Sequence, residues 1–183
     1  MISIVYEVSA YRRLLADNVK TGDIVIELGP HTGVSTASYA KKAKFVVAVD
    51  IGKESDGPFK KITAEFPQVR YINADARSFE TIKKVMKLAK KCDVLAVDLG
   101  GGRYPDTVFK VWGAWSGVFA PRDSIIRNRG LAEFLQRAQI KDKTIIRNFD
   151  DSGWLSEWGR ATPSKIRDQL AEFKFYVNVK ESP

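Results

Sequence analysis

Four short apolar runs in the first hundred residues each carry an acidic side chain at or near their end, and this pattern restricts the fold more than any other feature. They are Ile24-Val25-Ile26-Glu27-Leu28, Phe45-Val46-Val47-Ala48-Val49-Asp50, Arg70-Tyr71-Ile72-Asn73 leading to Asp75, and Asp93-Val94-Leu95-Ala96-Val97-Asp98. Runs this short and this continuously apolar predict strands of a parallel sheet buried on both faces. Helical spacing fills the gaps. Residues 7–19 set Val8, Tyr11, Leu14, Leu15 and Val19 on one face, a helix is predicted from Ser35 to Lys42, and a loop and helix precede Arg70. In Ser78–Lys91, Phe79, Ile82, Val85, Met86 and Ala89 point inward and the lysines largely outward. Strand and helix alternating in this way imply βαβ units. Further along, a helix is predicted over 107–119, a fifth strand over Ser124–Arg127 and a helix over Leu131–Ala138. Two final strands, Thr144–Arg147 and Phe173–Val179, bracket a helix from Ser164 to Ala171. The sum is an α/β chain with a mostly parallel, seven-stranded sheet and helices on both faces.

No linker, repeat or low-complexity tract interrupts the 183 residues, so one domain over 1–183 is expected. No apolar run approaches the ~20 residues that span a bilayer. The opening Met1-Ile2-Ser3-Ile4-Val5-Tyr6-Glu7 lacks a basic leader, and the single cysteine, Cys92, rules out an intrachain disulfide. A cytoplasmic protein without membrane contact is the expectation. Cys92 itself reads as a small buried hydrophobe.

Open α/β sheets bind ligands where loops leave the carboxyl ends of the strands. Glu27, Asp50, Asp75 and Asp98 gather at those ends, where carboxylates without partners are costly and a ligand bearing hydroxyls and amino groups supplies partners. The first loop, Gly29-Pro30-His31-Thr32-Gly33, is bounded by glycines but places His31 where a dinucleotide fingerprint needs a second glycine. It also lacks the Gly-Lys-Ser/Thr of a phosphate loop. The ligand therefore carries no pyrophosphate. Asp50 follows Gly29 by 21 residues, the spacing of a ribose-binding acid on the second strand. Taken singly, each residue has a plain alternative: Gly29 and Gly33 as packing glycines, Asp50 and Asp75 as helix caps, and His31 as a solvated bystander.

Val25-Ile26-Glu27-Leu28-Gly29-Pro30-His31-Thr32-Gly33-Val34-Ser35-Thr36 resembles the first motif of class I methyltransferases, in the form found in the catechol O-methyltransferase-like branch. The resemblance covers roughly residues 23–106. It implies a Rossmann-like fold whose last strand is antiparallel, and S-adenosylmethionine as cofactor. Glu27, Gly29 and Gly33 would shape the methionine pocket with Pro30, His31, Thr32 and Ser35 in the same loop. Asp50 would hold the ribose, Asp75 and Ala76 would flank the adenine, and Asp98 would sit near the transferring methyl as the candidate catalytic residue. The branch's magnesium ligands at the end of the fifth strand align with Arg127-Asn128, and an arginine repels a cation, so no metal site is assigned.

The chain carries a formal net charge of +8, which favours a polyanionic partner. Arg103, Tyr104, Trp112, Trp115, Arg122, Arg127, Arg129 and Arg137, then Trp154, Trp158 and Arg160, interleave cations with aromatics as single-stranded RNA binding requires. The alternative is that the aromatics are core and Lys83, Lys87 and Lys91 a solvated face. The first function to test is thus methylation of transfer or ribosomal RNA. A small-molecule O-methyltransferase and a non-catalytic nucleotide-binding protein stand behind it.

Overall fold

The structure, a computed structural model, describes residues 1–141. Six strands form one sheet: β1 (Ile2–Val5), β2 (Ile24–Leu28), β3 (Phe45–Asp50), β4 (Val69–Asn73), β5 (Val94–Val97) and β6 (Asp123–Arg127). Their order is β1-β6-β5-β2-β3-β4, and every pairing is parallel. Six helices connect them: α1 (Val8–Asn18), α2 (Val34–Tyr39), α3 (Asp56–Glu65), α4 (Phe79–Leu88), α5 (Pro105–Phe119) and α6 (Arg129–Arg137).

The two-residue period of a strand sorts the core into two layers. Val25, Val46, Ala48, Val94, Ala96 and Ile125 face Tyr11, Leu15, Tyr39 and Phe59 of α1, α2 and α3. Their neighbours Ile26, Val47, Leu95, Val97 and Ile126 face Ile82, Val85, Trp112, Trp115 and Phe119 of α4 and α5. Both faces of the sheet are covered, which is why the strands are almost unbroken apolar runs. Fully burying each such side chain stabilises the fold by about 1.5–3 kcal/mol. Cys92 is buried in the α4–α5 layer, where desolvation pushes its thiol well up. Lys83, Lys84 and Lys87 lie on the exposed face of α4.

The four strands anticipated up to Asp98 and the fifth at 124–127 are all present, with ends shifted by a residue at most. Helix ends moved further. α5 starts at Pro105 because proline is suited to the first helical position, and α6 starts at Arg129 because the Asn128 side chain accepts the Leu131 N–H at 2.8 Å and caps it. The sheet differs from the expectation at its edge. Its described strands number six, all parallel, and the place beside β6 is filled by β1, which pairs Ile2–Val5 with Ser124–Arg127. Among the described residues no strand is antiparallel. The strands anticipated at 144–147 and 173–179, and the helix at 164–171, lie outside the described residues. Among the described residues no helix is long and apolar enough to cross a membrane.

Candidate functional site

With all strands parallel, every carboxyl end lies on one rim. The winding reverses between β2 and β5, the position at which open α/β sheets leave a crevice. A cavity of about 600 Å³ opens there, within the range of small-molecule sites.

Its floor depends on Gly29. That residue has φ +79°, and a Cβ there would run into the carbonyl oxygen of Asp98. Glycine is thus required for the ends of β2 and β5 to close up. The next residues, Pro30, His31 and Thr32, line the cavity. His31 adopts φ 52° and donates its backbone N–H to Asp50 Oδ2 at 2.7 Å, while Gly52 N–H donates to Asp50 Oδ1 at 2.8 Å. Two loops therefore fix the Asp50 carboxylate, and each oxygen keeps a lone pair. The His31 ring is exposed and lies 3.8 Å from Glu54.

Asp75 lines the cavity, but its side chain does not cap α4. It accepts from the Arg77 guanidinium at 2.7 to 3.0 Å and from Arg77 N–H at 2.9 Å. Burial raises its pKa, and the hydrogen bonds from Arg77 more than offset this, holding it below the ordinary value. Ala76 is also in the lining, with its carbonyl accepting from Trp115 Nε1 at 2.8 Å.

Asp98 meets Arg127, whose Nη1 lies 2.9 and 3.1 Å from the two carboxylate oxygens. Both side chains are largely buried, at 14% and 9% exposure. Desolvation raises the Asp98 pKa, and the charge and hydrogen bonds of Arg127 only partly oppose it. Arg127 is thus a wall of the cavity and not a surface contact for RNA. The carboxylate that a catechol-type metal would require is already paired with a guanidinium.

Nine of the eleven anticipated cofactor residues line this cavity: Gly29, Pro30, His31, Thr32, Ser35, Asp50, Asp75, Ala76 and Asp98. Glu27 and Gly33 do not. Strand periodicity turns Glu27 under α2, where it is fully buried and accepts from Ser35 Oγ, Thr36 Oγ1 and Tyr39 Oη at 2.5 to 2.6 Å. Desolvation raises its pKa against those three bonds. Gly33, φ +76°, packs against Ile62 and Phe59 of α3. Both residues brace the loop from behind.

Sequence reasoning missed the other wall. Val8, Tyr11 and Arg12 of α1 line the cavity, as do Ile51, Leu99 and Tyr104. Tyr11 sits among the charges of Glu27, Asp98 and Arg127, and its buried hydroxyl has no partner, nor does Arg127 Nε. The signal available was parity: Arg127 falls on the same face of β6 as Ile125, which packs against Tyr11's layer.

The anticipated RNA-contacting set divides. Trp112 and Trp115 are core. Arg122 sits at the opposite rim, where its guanidinium is held by Asp23 at 2.8 and 3.0 Å and by Asp123 at 2.8 Å. Arg103, Tyr104 and Arg129 remain exposed on the carboxyl rim. Trp154, Trp158 and Arg160 lie outside the described residues.

No family model matches the chain. Ribosomal RNA small subunit methyltransferase A of Alkaliphilus oremlandii is 35% identical over 68 residues, which are 37% of this chain and 24% of that protein. The chain spans about a quarter of the length of this curated relative. Among solved structures, an rRNA methylase from Streptococcus thermophilus gives a TM-score of 0.51 at 15% identity, covering 71% of this chain and 78% of that one. Fibrillarin from Aeropyrum pernix, solved with natively bound S-adenosyl-L-methionine, gives 0.48 at 20% identity, covering 61% and 48%. The chain has the fold of class I methyltransferases.

Proposed function

We propose that this protein is an S-adenosylmethionine-dependent methyltransferase that acts on RNA in the cytoplasm and works as one domain. The observation that carries the cofactor reading is the Asp50 carboxylate, fixed by two backbone donors at the end of β3 and left with lone pairs toward the cavity. Such an acid suits two vicinal ribose hydroxyls. Three features of the cavity fit the remainder of the molecule. Ile51 is 60% exposed and gives a purine an apolar surface to cover. The Gly29 turn brings β2 and β5 together without a side chain. Tyr11 and Arg127 line the cavity and carry a hydroxyl and an Nε without partners, polar groups suited to an amino-acid tail. When bound, the cofactor supplies a methyl group on a sulfonium, already an excellent leaving group. The chain then contributes alignment, and we assign the Asp98–Arg127 pair in the cavity wall to orienting the acceptor.

RNA as the substrate is supported by the +8 net charge and by the ribosomal RNA methyltransferases the chain resembles. Calorimetry with S-adenosylmethionine and with NAD tests the cofactor: heat with the first and none with the second is the expected result, and tight NAD binding ends the proposal. Transfer of labelled methyl from the cofactor to a cell extract tests the substrate, with label expected in RNA. Label only in small molecules would favour the O-methyltransferase reading. Cofactor binding with no transfer to any fraction would favour the non-catalytic one.

A further inference from the structure

The unanticipated placement of β1 brings a second tyrosine to the functional rim. Tyr6 follows the carboxyl end of β1 and is 41% exposed, with the Arg129 guanidinium 5.2 Å over its ring. Tyr104 follows the carboxyl end of β5, is 58% exposed and lines the cavity, with the Arg103 guanidinium 5.8 Å over its ring. The strands that lead to them, β1 and β5, flank β6 and so lie about 10 Å apart, two strand spacings. The loops that carry them are joined. Asn128 Nδ2 donates to the Arg103 carbonyl at 2.8 Å, and Gly130 packs so closely on Pro105 that a Cβ would clash. Glu7, 3.9 Å from Arg129, steadies that guanidinium and is the acidic group nearest the pair.

An exposed tyrosine ring offers a flat face on which a base can stack. Each ring here is paired with a guanidinium, which repels cations and attracts phosphate. We propose that the two tyrosine–arginine pairs, Tyr6–Arg129 and Arg103–Tyr104, form a track for single-stranded RNA along the β1–β6–β5 rim, stacking two bases and delivering the acceptor nucleotide to the cavity. This rests on the RNA reading above and adds to it the face, the strandedness and the residues. Duplex RNA offers no free base faces and gains nothing from the rings.

The test measures fluorescence anisotropy of a labelled 12-nucleotide RNA, single-stranded and annealed to its complement, against the wild-type protein and Tyr6→Ala, Tyr104→Ala, Tyr6→Phe and Arg129→Gln. Each alanine change is expected to weaken single-strand binding by about 5- to 150-fold and leave duplex binding unchanged. Tyr6→Phe keeps the wild-type affinity, since the ring and not the hydroxyl stacks, and so controls for misfolding. Arg129→Gln weakens the single strand and lowers its salt dependence. Wild-type affinity in both alanine variants, or equal losses for single strand and duplex, would overturn the track. Calorimetry with S-adenosylmethionine on wild type and Tyr6→Ala separates the two proposals. Cofactor heat in both with neutral RNA results removes the track alone, whereas no cofactor heat in wild type removes the methyltransferase reading.

Discussion

The sheet carries an aspartate–arginine cluster at each end, and the two are built to different standards. At the amino rim Arg122 is hydrogen-bonded to both Asp23 and Asp123, and Asp23 also accepts the Lys20 N–H at 2.8 Å. Hydrogen bonds from Arg122 hold Asp23 below its ordinary pKa, and the same guanidinium, after an opposing effect of burial, holds Asp123 down as well. At the carboxyl rim Arg127 meets a single carboxylate, its Nε is unpartnered, Tyr11 Oη beside it is unpartnered, and burial pushes the Asp98 pKa up. One cluster is saturated and closes the fold. The other keeps donors in reserve beside a cavity. Saturation, not residue type, separates masonry from a working site.

The sharpest way to break this contrast is Arg127→Met. It strands a buried carboxylate, and a loss of about 3–5 kcal/mol in denaturant unfolding is expected, together with loss of cofactor heat in calorimetry. A fully stable Arg127→Met protein would show that the Asp98 carboxylate does not depend on the guanidinium. Next is Gly29→Ala, which forces a left-handed φ on alanine and drives its Cβ into the Asp98 carbonyl. A loss of about 2–3 kcal/mol is expected, whereas Gly101→Ala, with open space around it, costs only about 1–2 kcal/mol. Equal unfolding midpoints for the two would refute the close approach of β2 and β5. Smaller again, Arg122→Met at the part-exposed amino rim should cost about 1–2 kcal/mol and leave cofactor binding untouched.

The subtlest prediction is one of pH. Because Asp23 titrates below its ordinary value when folded, its charge stabilises the protein at every pH above about 4, and that contribution drains away as pH falls through the lowered value. Asp23→Asn removes it. A plot of Tm against pH for the variant should lie below wild type at neutrality and converge on it in acid. Parallel curves over that range would show Asp23 to be uncoupled from Arg122.

Much of this was legible in the sequence. Continuous apolar runs ending in acids gave both the parallel sheet and the rim on which the site lies, since strand direction fixes where the ends go. Nine of the eleven anticipated cofactor residues line the cavity because loop residues at strand ends have few other places to be. Glu27 escaped because a motif says nothing of parity: as the fourth residue of a five-residue strand it turns inward, to three hydroxyls of α2. β1 escaped because Ile2-Ser3-Ile4-Val5 is a four-residue edge strand whose partner β6 lies at the far end of the described chain. Arg122 and Arg127 lie away from the anticipated RNA-contacting surface for a related reason. A guanidinium reads the same in sequence whether it faces solvent, as Arg103 does, or lines a crevice, as Arg127 does, and only tertiary placement tells them apart.

The edge position of β1 also has a bearing on how the molecule assembles. Ile4 and its ladder partner Ile126 are separated by more chain than any other pair of adjoining described strands. Parallel pairings of such long reach are slow to form, so β1 is expected to join the sheet after the other described strands have paired. Until it does, the apolar side chains of β1 and the open edge of β6 are exposed together, and a chaperone that shields those few residues would act on the step most open to misassociation.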